Sequence, residues 1–239
     1  MRLCIGQAAL MGKLSRYAQS FNLLELRADV GTLPRPPRLR EWKALVADDF
    51  VFSVLSPKAL MNLEPGEGYD KALAYAQRAV ASLEAEWFVI QTGPGVTPSA
   101  RGRERLAKLV GEVKSWGVRV AWEARGPWSP SQAAEFCASS GVTLVTDLGL
   151  ESTSGPVIYP RVGAIGAGGR ITSGAADRIA ERLERAEEAF VVVEGASAKA
   201  LALGLRQELL SDTSAWADFD GVEVDDQDDE ELDAAGEEE

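Results

Sequence analysis

The 239 residues, 46% of them apolar, suit one large globular domain better than two small ones. No apolar run approaches the ~18 residues of a membrane span, and the first residues are too mildly apolar for a signal peptide, so we expect a soluble cytoplasmic protein without membrane contact. The chain contains no histidine, which excludes Ser-His-Asp and Cys-His nucleophile systems and nearly all zinc sites. Cys4 and Cys137 are the two cysteines and form no CxxC pair, which argues against a disulfide scaffold.

The net charge of −12 comes from the C-terminal segment of the chain. Residues 212–239 contain 14 acidic residues and no Lys or Arg, which leaves 23 acidic and 25 basic residues in the first 211. With acidic and basic residues nearly balanced, residues 1–211 lack the excess of positive charge typical of nucleic-acid-binding domains, and we expect no nucleic-acid partner.

The same composition predicts that residues 212–239 form a disordered acidic tail behind a domain of residues 1–211. Trp216 and Phe219 stand out among the carboxylates of this tail. Acidic segments with spaced aromatic residues can dock on a protein partner, and a purely solubilising tail is the alternative.

Short apolar runs alternate with helical patterns along the rest of the chain. The predicted strands are residues 2–6, 22–26, 50–55, 87–91, 118–123, 142–147, 157–164 and 189–194. The predicted helices are residues 11–21, 38–46, 69–84, 100–116, 131–139, 173–186 and 197–210. The connection 148–156 is too short and too rich in Ser and Gly for a helix.

The strand patterns predict an α/β fold with a parallel sheet. Runs such as Phe88-Val-Ile and Phe190-Val-Val-Val are typical of strands buried on both faces. Eight strands with crossover helices match a TIM-like (β/α)8 barrel closed between the first and last strands, and an open doubly wound sheet is the alternative. No G-x-G-x-x-G follows the first strand, so we expect no dinucleotide, and nothing indicates another cofactor or a metal.

Functional residues of α/β barrels gather where the strands end, and polar residues follow most of the predicted strands. As catalytic candidates we take the carboxylates Glu25 and Glu123, and as substrate-binding candidates Gln91, Arg125, Asp147 and Arg161. Arg27 and Glu194 stand at other strand ends, whereas the third strand offers almost nothing.

Glu25 is a charge inside the apolar run Leu23-Leu-Glu-Leu, where a carboxylate is rarely buried without a partner. It is either a functional group or half of a structural ion pair with Arg125 or Arg161. We expect Glu25, Glu123, Arg125 and Arg161 to meet in one cavity suited to an anionic or sugar-like small molecule.

A glycine-rich stretch follows the seventh strand and precedes a predicted helix. Loops at this place in barrels often hold phosphate, which makes Gly166, Gly168, Gly169 and Arg170 candidate phosphate-binding residues. The alternative is an ordinary loop in which Thr172 or Ser173 caps the helix.

Several segments resemble one known family. They are Phe21-Asn-Leu-Leu-Glu-Leu, Leu33-Pro with Trp42 on the next helix, Asp48-Asp-Phe-Val-Phe-Ser-Val with Pro57, Ile90-Gln91, Val120-Ala-Trp-Glu-Ala-Arg with Pro127-Trp128, and Tyr159-Pro-Arg161. Together they look like the signature of domain-of-unknown-function family 72 (DUF72, YecE-like). The resemblance covers most of residues 13–210 and implies a TIM-barrel-like fold with no established activity.

The resemblance also implies a polar cluster in which Glu25, Gln91, Glu123, Arg125 and Arg161 match the family's residue types. The chain departs from the family where Leu55 replaces a lysine, Gly163 a histidine, and Glu194-Gly195 asparagines. We therefore expect a divergent member whose activity is unknown or lost and which serves as an interaction module. The alternative is an enzyme or small-molecule binder that uses the carboxylates and arginines at the strand ends.

Overall fold

Eight strands with apolar side chains on both faces form the centre of this computed structural model, which describes residues 1–148, 155–163, 179–183, 185–195 and 198–210. They are β1 (Arg2–Gln7), β2 (Leu23–Arg27), β3 (Val51–Leu55), β4 (Trp87–Thr92), β5 (Arg119–Ala124), β6 (Thr143–Asp147), β7 (Val157–Val162) and β8 (Glu188–Val193). Each begins and ends within two residues of its prediction wherever the bounds fall on described residues.

All neighbouring strands pair in parallel, and the sheet closes into a barrel in chain order. The closing pair joins β1 to β8, with Cys4 opposite Phe190. Gly6 permits the approach of β1 to β2, because a Cβ at this position would lie 1.7 Å from the carbonyl oxygen of Leu23. The predicted TIM-like barrel is confirmed, and the open sheet is wrong.

Helices connect the strands on the outside of the barrel. They are α1 (Leu14–Ala18), α2 (Pro36–Ala44), α3 (Glu67–Leu83), α4 (Ala100–Lys114), α5 (Pro130–Ser140), α6 (described for residues 179–183) and α7 (Ala198–Leu210), with a 3-10 turn at Lys58–Leu60. Ser99 and Ser129 cap α4 and α5 by accepting backbone N–H groups through their side chains.

The first helix is shorter than the predicted range 11–21. Gly12 has φ +80°, a left-handed value that keeps it out of a helix. At the other end, the side chain of Asn22 bonds to the backbone of Ile5 and Leu3 in β1. The backbone of Asn22 also bonds to Ile5 and Val51, and β2 begins at the next residue, Leu23, one later than predicted.

Inward-facing side chains fill the barrel in layers. The middle of the interior is apolar and holds the rings of Trp87, Tyr159 and Phe190. The ring centroid of Trp87 lies 5.2 Å from that of Tyr159 and 5.0 Å from that of Phe190. At the end where the strands start, Arg2, Glu86, Arg119 and Glu188 form an ionic group that we call the basal cluster. The apolar middle separates this cluster from the opposite end, the carboxyl rim, where polar side chains from several strands meet.

No helix among the described residues is long and apolar enough to cross a membrane. The predicted connection 148–156 lies mostly outside the described residues, as does the first part of the predicted helix 173–186. Residues 212–239, with Trp216 and Phe219, also lie outside them, so the predicted tail and the domain boundary at residue 211 stay predictions.

Candidate functional site

Arg161, on β7, lies between two carboxylates from other strands. Its Nε donates to Oε2 of Glu123 at 2.7 Å, and its Nη2 lies 2.9 Å from Oε1 of Glu25. The second contact falls outside hydrogen-bonding orientation, so this attraction is mainly electrostatic. Burial alone would lower the pKa of Arg161, but Glu25 and Glu123 outweigh it and hold that pKa above its ordinary value.

Glu123, on β5, accepts from three donors. Besides Arg161, Nε of Arg125 donates to its Oε1 at 2.5 Å, and Nε2 of Gln91 donates to the same oxygen at 2.9 Å. Burial would raise the pKa of Glu123, but Arg161 and Arg125 outweigh it and leave the pKa below its ordinary value. Glu123 is therefore an anion at neutral pH, and it cannot supply a proton as a general acid.

Glu25, on β2, is fully buried, and its second oxygen is also occupied. Tyr159 donates its hydroxyl to Oε2 at 2.9 Å, and the Ser53 hydroxyl lies 2.8 Å from the same tyrosine oxygen. Since one hydroxyl donates once and the carboxylate is the stronger acceptor, Ser53 donates to Tyr159. Burial and the charge of Glu25 hold the pKa of Tyr159 well above its ordinary value, so the tyrosine keeps its proton.

Gln91 links this group to β2 and β3. Its Oε1 accepts from Nη2 of Arg27 at 2.7 Å, and its backbone N–H donates to Ser56 Oγ at 2.9 Å. Arg27 also donates to the carbonyl of Ser56 at 3.1 Å. We call the connected side chains the rim network; they are Glu25, Arg27, Ser53, Ser56, Gln91, Glu123, Arg125, Tyr159 and Arg161.

Most of the rim network is buried inside the barrel, and Arg125 is its most exposed member. The side chains of Arg161 and Glu123 are 9% and 11% exposed, whereas that of Arg125 is 52% exposed. Within the described part of the chain, the terminal amino groups of Arg125 make no hydrogen bond. A solute that approaches the rim therefore meets a guanidinium that a buried carboxylate holds in place.

Two further charges flank the network. Asp147 pairs in register with Arg161 across β6 and β7, and its Oδ2 would lie 3.6 Å from a Cβ at Gly163. Glu194 follows β8 and lies 4.0 Å from Nη1 of Arg161, with half of its side chain exposed. Both carboxylates stand at the rim, beside the paired centre.

The structure brings five of the six predicted catalytic and substrate-binding residues into direct contact and places the sixth, Asp147, beside them. Sequence reasoning missed Tyr159 and Ser53, although the two-residue period of a strand puts Tyr159 on the same face as Arg161. It also missed Ser56, which directly follows β3, a strand end judged to offer almost nothing. The catalytic roles of Glu25 and Glu123 stay predictions, and the phosphate-binding candidates Gly166, Gly168, Gly169 and Arg170 lie outside the described residues.

Glu25, Glu123, Arg125 and Arg161 lie together as expected, and a shared ligand cavity for them stays a prediction. A cavity of about 630 Å³ opens beside the rim, between the ends of β1 and β8 and helix α1, and of the rim charges only Glu194 lines it. In the described ranges, no three His, Cys, Asp or Glu side chains are grouped so that they could hold a metal ion.

The family model for a protein of unknown function, DUF72, matches residues 7–217. The chain belongs to DUF72. A DUF72 family protein from Enterococcus faecalis has the same fold at 17% identity and a TM-score of 0.71, over 87% of this chain and 98% of that one. None of the curated proteins matches this chain.

Two further solved structures show how widely the fold is shared. A DUF72 family protein from Thermotoga maritima aligns at 15% identity with a TM-score of 0.60, over 88% of this chain and 99% of that one. A sugar phosphate isomerase/epimerase from Parabacteroides distasonis aligns at 13% identity with a TM-score of 0.53, over 87% and 94%. At such identities the likeness establishes the DUF72 barrel fold and assigns no activity.

Proposed function

We propose that the carboxyl rim of this DUF72 barrel binds a small, oxygen-rich anion, such as a sugar acid or a sugar phosphate. The observation that carries the proposal is the unbroken chain of contacts from Glu25 through Arg161 and Glu123 to the exposed Arg125. In it, two buried carboxylates hold two guanidinium groups, and the outer one is presented to solvent.

The energetic cost of the network supports a role in binding. Replacing a buried ion pair by packed apolar residues is often neutral or stabilising, so burial of Glu25 and Arg161 does not in itself favour the fold. Rigid positioning of a guanidinium, by contrast, reduces the entropy lost when it binds an anion. One protein that shares the fold is described as a sugar phosphate isomerase/epimerase, and sugar phosphates belong to the proposed ligand class.

In this proposal the network binds rather than reacts. The oxygens of Glu123 accept from Arg125, Gln91 and Arg161. Oε2 of Glu25 accepts from Tyr159, and its Oε1 is in ionic contact with Arg161. Arg161 and Arg125 leave the pKa of Glu123 below its ordinary value, so this carboxylate is a weak base. The alternative, an interaction module, depends on the segment with Trp216 and Phe219, and no described residue favours it.

A thermal-shift screen with sugars, sugar acids and sugar phosphates tests the proposal. A ligand present at about 100 times its Kd stabilises the native state by about 2.7 kcal/mol, which raises the Tm of a chain of this size by about 5–10 °C. We expect such a shift for at least one anionic compound, and we expect Arg125→Ala to remove it.

Arg38→Ala is the matched control. Arg38 is 60% exposed and pairs with one carboxylate, as Arg125 does, but it lies on α2 away from the rim. A ligand whose shift survives Arg125→Ala, or is lost equally in Arg38→Ala, would contradict binding at the rim. Absence of a shift across the whole panel would contradict the proposed ligand class.

A further inference from the structure

A second recognition site lies beside the rim network, in the cavity of about 630 Å³ between the ends of β1 and β8. Ligand pockets for drug-sized molecules are typically about 300–1,000 Å³, so the volume suits a compound of one or two rings. Its lining comes from the segment after β1, from α1, from the end of β8 and from the first turn of α7. We call it the β1–β8 cavity.

One wall of the cavity is apolar and aromatic. The rings of Tyr17 and Phe21 stack at a centroid distance of 4.7 Å, and Ala8 and Val193 extend the apolar surface. The Tyr17 hydroxyl is engaged in the fold, since it accepts from the N–H of Gln7 and donates to the carbonyl of Leu23. Tyr17 and Phe21 are only 4% and 5% exposed, so this wall offers a planar ligand a narrow strip of apolar and aromatic surface.

The charged groups in the lining are two cations and one carboxylate. Arg16 on α1 and Lys199 on α7 are exposed, and within the described residues neither forms an ion pair or a hydrogen bond. Glu194 is the carboxylate, and it lies 4.0 Å from Arg161, which already offsets part of its charge. The lining therefore has a net charge of about +1, which suits a ligand with a single negative group.

We propose that the β1–β8 cavity binds a small monoanionic carboxylate on a planar apolar body. The ring system would lie against Tyr17 and Phe21, and the carboxylate would reach Arg16 and Lys199. This site is separate from the one proposed at Arg125, because no residue of the rim network lines the cavity, and Glu194 of the lining contacts the network only at 4.0 Å, through Arg161.

The test uses 2-naphthoate as the probe, measured by isothermal titration calorimetry on the full chain at neutral pH. Two related compounds separate the two halves of the recognition: 2-naphthamide has the same rings without the charge, and acetate has the charge without the rings. We expect one molecule of 2-naphthoate to bind per chain. The affinities of 2-naphthamide and of acetate should each be at least about tenfold lower, which is the scale of one charge-assisted contact.

Variants of exposed charges place the binding within the cavity. The double variant Arg16→Gln/Lys199→Gln should lower the affinity for 2-naphthoate by at least about tenfold. Glu194→Gln should raise that affinity by about threefold, because it removes a charge that repels the carboxylate. The control is Arg78→Gln/Lys108→Gln, which removes one exposed Arg and one exposed Lys from α3 and α4 and should leave the Kd unchanged.

Three results would overturn the proposal. They are no binding by the native chain, equal binding of the amide and the carboxylate, and equal loss in the cavity and control variants. Loss of binding in Arg125→Ala would also overturn it and would move the probe to the rim. Because Arg16 and Lys199 are exposed, we expect their substitution to leave the melting temperature unchanged, and this measurement shows that the variants are folded.

Discussion

Each carboxylate oxygen of Glu123 contacts one arginine, Oε1 Arg125 and Oε2 Arg161, and the two arginines differ in exposure. Arg161 is buried and also contacts Glu25, whereas Arg125 is half exposed. Loss of Glu123 would leave Arg161 with Glu25 and the more distant, half-exposed Glu194, and would leave the buried amide of Gln91 without its acceptor. The residue therefore contributes to stability mainly through the groups that its removal would strand.

We expect Glu123→Ala to lower the free energy of unfolding by about 3–5 kcal/mol, the usual cost of breaking a buried ion pair from one side. The measurement is a urea denaturation curve at neutral pH. Glu41→Ala is the control, because Glu41 pairs with Arg38 on the surface of α2 with more than half of each side chain exposed, and such pairs contribute about 0–1 kcal/mol. Equal midpoints for Glu123→Ala and the native chain would show that the rim network adds nothing to stability.

Which of these residues the sequence could reveal depends on their chemistry. Charges inside apolar strands, such as Glu25 and Glu123, are visible because an unpaired buried charge is costly. Tyr159 and Ser53 are compatible with an ordinary strand interior, so their types gave no signal. The hydrogen bonds of Tyr159 with Glu25 and Ser53 span 134 and 106 positions of the chain and follow only from the closure of the barrel.

At the level of elements, the basal cluster is built by the first residues of β1, β5 and β8 and by Glu86, which directly precedes β4. Arg119 contacts both Glu86 and Glu188, at 3.1 and 2.9 Å, and its guanidinium lies 4.3 Å from the ring centroid of Trp87. Arg2 contacts the same two carboxylates. The cluster covers the aromatic middle of the barrel with stacked guanidinium groups, an arrangement that serves packing as well as charge.

This cluster predicts a dependence of stability on pH. The Arg119 guanidinium, which donates to Glu188, holds the pKa of that carboxyl below its ordinary value. A carboxyl with a depressed pKa stabilises the fold fully above its unfolded pKa of about 4.3 and loses that contribution as the pH falls through the folded pKa. Glu188→Gln should therefore unfold at a lower urea concentration at pH 7, and its difference from the native chain should narrow progressively below about pH 4.3.

Glu187→Gln is the control for this pH series. Its side chain is exposed and forms no ion pair with any described residue, so its unfolding midpoint should follow that of the native chain at every pH. A difference between native chain and Glu188→Gln that stays constant from pH 7 to pH 3 would show that the contacts of Glu188 with Arg119 and Arg2 do not depend on its charge.

The sequence predicted the strands more closely than the helices. Strand bounds follow from apolar runs, and in β3 and β4 every residue is buried, as the pattern indicates. Helix α1 is shorter than predicted because its apolar pattern continues into Phe21. The left-handed Gly12 lies before the helix, and a turn in which the N–H of Ser20 donates to the carbonyl of Tyr17 ends it. Single backbone and side-chain contacts of this kind leave no periodic trace in the sequence.

For the molecule as a whole, the balance of charge divides the chain into two parts. The first 211 residues hold 25 basic and 23 acidic residues, and the last 28 hold 14 acidic residues and no basic ones. The DUF72 model extends to residue 217 and so includes Trp216 but not Phe219. Two cuts, after Ser211 and after Ala217, therefore separate the contribution of the family segment from that of the acidic segment.

We predict that the acidic segment is dispensable for folding. Ordering it would cost about 1–2 kcal/mol of backbone entropy per residue, and its composition offers little apolar surface in return. A chain that ends at Ser211 should therefore melt within a few degrees of the full chain in matched buffer. Its net charge changes from −12 to about +2, so its solubility should fall.

The chain that ends at Ala217 is the matched variant, because it keeps Trp216 and Asp212 and removes most of the acidic residues. If the shorter chain loses much of its thermal stability and the longer one regains it, Trp216 packs on the barrel and the domain extends beyond residue 211.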